Sequence, residues 1–368
     1  MTRVLPRLAL IPSRIPRLPA VLTWPAPAGA YSRLVDPLAP GTGFRARVES
    51  VIAETPRAAT LILRPGPGWP SHQPGQWVPV GVDVDGVRHT RCYSLTSVPA
   101  HPDGTIAITV QAVPDGVVSN HLVRHARPGD LVHLDLPQGD FVLPAVRLAP
   151  LLFITGGSGI TPVMGMLRAM TAARSMGDVT LIHHAPSEAE VIFADELDDI
   201  SLRCTRFRHH VAITGPGIPP PAARLTTARL DRLCPDWRTR EAWVCGPTPI
   251  LDAAEDLWSA DDVTGTLHVE RFAPARALAD SDRRSGTVTF AQARRDVASD
   301  GGTTLLDLAE SAGLAPRSGC RMGVCRRCVT PLRSGTVRDL RDGRTESEPG
   351  THVQICVSAA CGDVELEL

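Results

Sequence analysis

The chain contains no lysine: all 38 of its basic side chains are arginine, set against 39 acids for a formal net charge of −1. That balance excludes the global electrostatic signature of a nucleic-acid binder. Together with abundant alanine, proline and aspartate, the missing lysine reflects a GC-rich genome rather than a chemical task. No apolar run reaches the length of a transmembrane helix, and no secretory signal is evident. Outside one C-terminal group the cysteines (Cys92, Cys204, Cys234, Cys245, Cys361) are scattered, which argues against a disulfide framework and for a reducing, cytoplasmic setting. There is no acid before Asp36, and residues 1–23 carry Arg3, Arg7, Arg14 and Arg17 among Pro6, Pro12, Pro16 and Pro19. Proline at this density blocks a continuous amphipathic helix. Residues 1–40 therefore read as a partly disordered arm or a strap, with at most peripheral contact with the inner face of a membrane.

A length of 368 residues suggests two or three domains. From Phe44 to Leu136 short strands alternate with Pro/Gly turns at intervals of about ten residues, the pattern of an antiparallel β-barrel or sandwich. The expected strands include 44–52, 59–63, 77–84, 87–94, 105–112 and 131–136. After Pro150 the pattern changes. Leu151–Thr155 is a buried apolar strand that runs into a glycine-rich turn and a helical stretch (163–174), and strands at 179–183 and 242–245 follow, alternating with helices. That alternation predicts an α/β domain with a parallel sheet. Residues 273–285 read as a solvated linker. A small α+β domain begins at Gly286, with a helix near 304–312. The boundaries expected are 1–40 for the arm, 41–147 for the barrel, 148–272 for the α/β domain, 273–285 for the linker and 286–368 for the last domain.

That last domain carries Cys320, Cys325 and Cys328 as C-x₄-C-x₂-C, then Cys356 after 27 intervening residues. This is the ligand spacing of a plant-type [2Fe–2S] cluster. Gly319 and Gly323 interleave with the ligands, as a loop needs when its amides must turn toward sulfur. A zinc site would ordinarily show paired C-x₂-C knuckles. Cys361 reads as a filler of the small core.

Upstream, Arg91-Cys92-Tyr93-Ser94 lies on a strand. Period two puts Arg91 and Tyr93 on one face, a guanidinium beside an aromatic ring, suited to a phosphate-bearing aromatic ligand or to simple packing. Gly116-Val117-Val118-Ser119 opens a helix, where the backbone can approach an anion. Gly156-Gly157-Ser158-Gly159-Ile160-Thr161-Pro162 joins a strand to a helix, a turn able to seat a diphosphate. Cys245-Gly246-Pro247 ends a strand at the carboxyl edge of the parallel sheet, where ligands bind in such folds.

These motifs, in this order, resemble the ferredoxin–NADP⁺ reductase superfamily, and the C-terminal part resembles plant-type ferredoxins. The chain is most similar to fused reductases with the order flavin, nicotinamide, ferredoxin, including those serving actinobacterial desaturases and oxygenases. The resemblance implies an antiparallel β-barrel for FAD, a parallel-sheet domain for NAD(P)H and a β-grasp ferredoxin domain. It implies that Arg91 meets the flavin phosphates, Tyr93 stacks on the isoalloxazine and Ser94 reaches its N5 edge. Gly116, Val117, Val118 and Ser119 would bind the FAD diphosphate. Gly156, Gly157, Ser158, Gly159, Thr161 and Pro162 would bind the nicotinamide nucleotide, with Cys245, Gly246 and Pro247 beside it. Ser94, Cys245 and Glu270 (in His268-Val269-Glu270-Arg271-Phe272) would flank the reacting atoms, and Cys320, Cys325, Cys328 and Cys356 would hold the cluster.

The expected function is therefore electron transfer from NAD(P)H through FAD and a [2Fe–2S] cluster to a separate terminal oxygenase, hydroxylase or desaturase. The alternatives are a general ferredoxin or quinone reductase and a redox sensor. No arginine occurs between Arg174 and Arg203, while Glu188 and Glu190 follow the second strand of the α/β domain, where a 2′-phosphate would lie. Two acids there favour NADH over NADPH. Arg317, Arg321, Arg326 and Arg327 surround the cluster ligands and would suit an acidic acceptor.

Overall fold

The computed structural model describes residues 33, 36–41, 43–144, 149–215, 225–272, 283–319, 321, 323, 326–341 and 343–368. Most of the arm, most of the linker, Cys320 and Cys325 lie outside them. Among the described residues no helix is long and apolar enough to cross a membrane.

The first unit comprises β1 (Phe44–Thr55), β2 (Ala58–Pro65), β3 (Trp77–Val84), β4 (Val87–Ser94), β5 (Ile106–Gln111), α1 (Val117–Arg124) and β6 (Leu131–Leu134). Its sheet runs β4-β3-β6-β1-β2-β5, and a bridge between Leu95 and Ile108 joins the two ends into a barrel. Alternate residues point inward, and Val48, Leu61, Leu63, Val78, Val80, Ile108 and Val110 fill the interior with Val118 and Leu122 of α1. Closure removes the sheet edges that would otherwise invite pairing with other chains.

The second unit comprises β7 (Leu151–Gly156), α2 (Ile160–Ala172), β8 (Val179–Ala185), α3 (Ala194–Arg203), β9 (Phe207–Ile213), α4 (Thr227–Leu233), β10 (Glu241–Cys245), α5 (Thr248–Ala260) and β11 (Leu267–Glu270). All pairings are parallel, in the order β11-β10-β7-β8-β9. The chain moves outward from β7 to β9 and then returns to β10 on the other side of β7. The carboxyl ends of β7 and β10 therefore flank the topological switch point, where the strands open a crevice. Gly159 packs so closely on the Cys245 carbonyl that a Cβ would overlap it, so glycine is required there. Strand β8 extends to Ala185, two residues past the expected end. Strand β9 was not legible in sequence because Arg208, His209 and His210 interrupt its apolar run.

The third unit holds β12 (Gly286–Phe290), β13 (Arg295–Ser299), α6 (Leu305–Ser311), β14 (Val329–Asp339), β15 (Thr345–Glu346), β16 (His352–Gln354) and β17 (Ser358–Leu366). The mixed sheet β13-β12-β17-β14-β15 packs on α6, whose N-cap Thr304 accepts from the Asp307 amide. Cys361 is half-buried rather than in the core. It sits where the β14–β17 register slips between Gly335 and Val337, just before left-handed Gly362, so the strand leaves its ladder there.

Two adjacent histidines lie inside the parallel sheet. His183 Nδ1 is 2.8 Å from Thr155 Oγ1, and the His184 ring donates to the Thr155 carbonyl at 3.1 Å. Burial depresses both, His183 to about 3 and His184 to about 4. Above pH 6.5 both states are neutral and these groups cost nothing. Below it the unfolded chain binds protons that the fold refuses, so stability falls as pH drops from about 6.5 toward 4, by roughly 1 kcal/mol per histidine in the first unit below 6.5. Urea titrations at pH 7.5 and 5.5 are expected to show this loss, and His183→Gln is expected to reduce it; a pH-independent midpoint would contradict it.

Candidate functional site

The barrel mouth faces the carboxyl edge of the parallel sheet, and polar contacts fix the two together. Arg168 of α2 donates to the Thr96 carbonyl at 2.8 Å while forking onto Glu196 of α3 at 2.8 and 2.6 Å. Such paired, charge-assisted bonds are the strong ones. The Ser158 amide donates to Gln111 Oε1 at 3.1 Å. Arg57 meets Glu190 at 2.6 Å. Gly165 lies against the Leu95 carbonyl, an approach closed to any side chain.

Between these surfaces lies a cleft of about 220 Å³. From the barrel it takes Arg91, Cys92, Tyr93 and Ser94 with Trp77, Thr109, Gln111 and Val113, and from the start of α1 it takes Gly116, Val117, Val118 and Ser119. From the parallel domain come Ser158, Thr161, Glu270 and Phe272. All four residues of the R-x-Y-S motif reach it, not only the Arg91/Tyr93 face, because the cleft wraps the end of β4. A second groove of about 560 Å³ adjoins it, lined by Gly156, Gly157, Ser158, Gly159, Gly246 and Pro247. Gln111, Val113, Ser158 and Phe272 line both cavities. Pro162 is buried in the first turn of α2 and lines neither. Cys245 is also buried, at the end of β10 in register with Glu270.

The chemistry of the lining fits a flavin and a nicotinamide nucleotide. The Ser94 hydroxyl is enclosed with no hydrogen-bond partner among the described residues, as is Glu270 Oε2. Two enclosed polar atoms without partners would be costly unless a ligand satisfies them. Burial lowers the affinity of the Arg91 guanidinium for its proton, and neighbouring Arg321 adds to this. Burial, then the Arg91 charge acting against it, leaves the Tyr93 phenol raised and uncharged. The Glu270 carboxyl is pushed up to about 8 by burial alone. Burial and the neighbouring Glu270 push the Cys245 thiol well up. Both are neutral at pH 7. Ser119 lines the cleft and also shapes the turn before α1: its hydroxyl accepts from the Val113 amide at 3.3 Å and lies 3.4 Å from the Gly116 carbonyl. Trp77, Thr109, Gln111 and Val113 carried no sequence motif; their place depends on the apposition of two domains.

Cys328 and Cys356 are buried in the third unit with their Sγ atoms 3.1 Å apart, too far for a disulfide. Arg321, Gly323 and Arg326 all have left-handed backbones, with φ of 57°, 74° and 56°. Recurrent left-handed residues turn amides toward a common centre, as an anionic cluster requires. The Gly323 carbonyl accepts from Gln354 at 2.7 Å and Arg341 at 3.0 Å, which pins the loop. Two thiols gathered under such a loop fit an iron–sulfur cluster; Cys320 and Cys325 fall outside the described residues. Arg327 pairs with Asp135 of the barrel domain, and Arg321 pairs with Asp307 and Glu310.

Three family models match in this order: an oxidoreductase FAD-binding domain over residues 71–143, an oxidoreductase NAD-binding domain over 153–256 and a 2Fe-2S iron-sulfur cluster binding domain over 289–361. An NADPH oxidoreductase from Mycobacterium tuberculosis (strain H37Rv) is 42% identical over 96% of this chain and 91% of that protein. The ferredoxin reductase component of a 3-ketosteroid-9-alpha-monooxygenase from Mycobacterium tuberculosis (strain CDC 1551 / Oshkosh) is 30% identical over 79% of this chain and 85% of its own. The solved structure of phthalate dioxygenase reductase superposes with a TM-score of 0.60 at 24% identity, over 89% of this chain and 98% of that one, and shows the shared fold. The chain therefore belongs to the ferredoxin–NADP⁺ reductase superfamily, as an NAD(P)H-dependent oxidoreductase that fuses FAD, NAD and plant-type [2Fe–2S] modules.

Proposed function

We propose that this chain draws electrons from NAD(P)H and delivers them singly to a separate terminal oxygenase, hydroxylase or desaturase. The observation that carries the reading is the cleft shared by the R-x-Y-S strand and by Ser158 and Thr161 of the glycine-rich turn. The named role of the monooxygenase reductase component supports it. The balance is one NAD(P)H and two oxidised one-electron acceptors giving NAD(P)⁺, two reduced acceptors and one proton. When bound, FAD and the [2Fe–2S] cluster supply the conversion from hydride transfer to single-electron transfer.

The chain's own residues bind, orient and exclude water. With FAD bound, Arg91 would hold the flavin phosphates, Tyr93 would cover the ring and Ser94 would offer its enclosed hydroxyl to the N5 edge. Gly116 to Ser119 seat the FAD diphosphate through the backbone. Gly156 to Gly159, Thr161 and Pro162 form the dinucleotide turn, with Gly246 and Pro247 opposite. Cys245, buried at the end of β10, would back the nicotinamide site from behind its lining. Glu270 holds a proton at an enclosed oxygen and presents a neutral donor where negative charge develops. Peripheral contact with an anionic membrane, where the acceptor is membrane-bound, falls to the arginine-rich residues 1–23.

Because Glu270 titrates near 8, the neutral donor is lost as pH rises through that value. Stopped-flow flavin reduction is expected to slow above pH 8, and Glu270→Gln is expected to abolish that inflection. An inflection that persists in the variant would assign it elsewhere.

Coenzyme choice rests on Glu188, exposed just beyond β8. Glu190 contributes less than its sequence position suggests, because Arg57 neutralises it at 2.6 Å. We propose NADH as the preferred coenzyme, with the Glu188 charge repelling a 2′-phosphate; the relative named an NADPH oxidoreductase makes the comparison decisive. The wild-type kcat/KM ratio is expected to favour NADH, and Glu188→Gln to raise kcat/KM for NADPH about three-fold. A wild-type preference for NADPH would overturn the assignment.

A further inference from the structure

The cluster loop from Leu314 to Cys328 contains four arginines and no acid. The structure divides them into two pairs. Arg321 and Arg327 are engaged within the chain, the first by Asp307 and Glu310 of α6 and the second by Asp135 of the barrel domain. Arg321 also lies near enough to Arg91 to perturb it, so this pair marks the side of the loop that meets the flavin module. Arg317 and Arg326 are exposed, and neither forms an ion pair among the described residues. Arg326 directly follows a ligand position, and its left-handed backbone is one that non-glycine residues adopt at a cost.

An electron that has entered the cluster must leave to another protein, and a protein surface docking there meets these two cations. The Arg327–Asp135 pair shows that the loop already accepts a carboxylate from a separately folded module. Charge of one sign with no intervening acid steers a partner of the opposite sign and discourages one of the same sign. We propose that Arg317 and Arg326 form the delivery face of the cluster loop, a cationic rim that docks an acidic electron-accepting protein while Arg321 and Arg327 stay engaged within the chain. The proposal rests on the reductase reading above and specifies its partner: the acceptor presents carboxylates around its own redox centre.

The test uses the full chain loaded with FAD and cluster. Soluble cytochrome b5, which is acidic, and cytochrome c, which is basic, serve as probes. Binding is measured by surface plasmon resonance without NAD(P)H, and reduction of each probe is measured with it. Wild type is expected to bind cytochrome b5 the more tightly, with affinity falling as salt rises. The Arg317→Glu/Arg326→Glu variant is expected to weaken cytochrome b5 binding by about ten-fold and to strengthen cytochrome c binding. Arg326→Asn keeps a residue that tolerates the left-handed backbone and is expected to give a smaller shift in the same direction. Reduction of menadione, an uncharged acceptor, is expected to be unchanged in both variants.

Cytochrome b5 binding that is unaltered in a variant still reducing menadione would overturn the delivery face. So would variants that lose binding to phosphatidylglycerol vesicles while keeping cytochrome b5, since the rim would then serve a lipid surface. Failure of the wild-type protein to reduce menadione would instead refute the reductase reading, and the binding comparison would still decide the docking question.

Discussion

The apposition of the barrel mouth to the carboxyl edge of the parallel sheet is the constraint on which the chemistry depends. A hydride donor and a flavin react only when held in contact, and neither domain alone encloses the cleft. The contact is built from small parts. Gly165 lets α2 approach the Leu95 carbonyl, and Gly159 lets the glycine-rich turn after β7 approach Cys245. Arg168, fixed by Glu196, reaches across to Thr96. Each contact contributes on the order of a kcal/mol, yet together they set the position of Ser158, Thr161 and Glu270 against Tyr93 and Ser94.

Electrostatics separates the two ends of the molecule. In the cleft, burial keeps the Glu270 carboxyl and the Tyr93 phenol neutral, as it does the Cys245 thiol packed behind the lining. A low-charge, enclosed cleft excludes water from hydride transfer and avoids charges that would bias it. Around the cluster the opposite holds, with four arginines and no acid in the loop itself. The acids that balance two of them come from α6 and from the barrel domain, so the packing around the loop decides which cations have an ion-pair partner among the described residues.

Much of this was legible in the sequence because the signals are local. The Cys320–Cys328 spacing, the glycine turn at 156–159 and the period-two strands of the barrel each depend on neighbours in the chain. Three kinds of feature were not legible. Strand β9 was hidden because it pairs on one edge only and carries Arg208, His209 and His210. Trp77 and Gln111 read as ordinary strand residues, since only the folded apposition brings them to the cleft. The acidic corner at 188–190 looked uniformly repulsive, but Arg57, 133 residues away, neutralises half of it. Cys361 looked like core and is half-buried because of a register slip that composition does not reveal.

The central claim is that electrons reach the cluster only by way of the flavin cleft. The most direct measurement is electron paramagnetic resonance of the [2Fe–2S] signal after anaerobic addition of NAD(P)H to the holoprotein and to protein stripped of FAD with its cluster intact. The account predicts a reduced-cluster signal in the holoprotein, none without FAD, and its return when FAD is restored. A cluster reduced equally well without the flavin would contradict it.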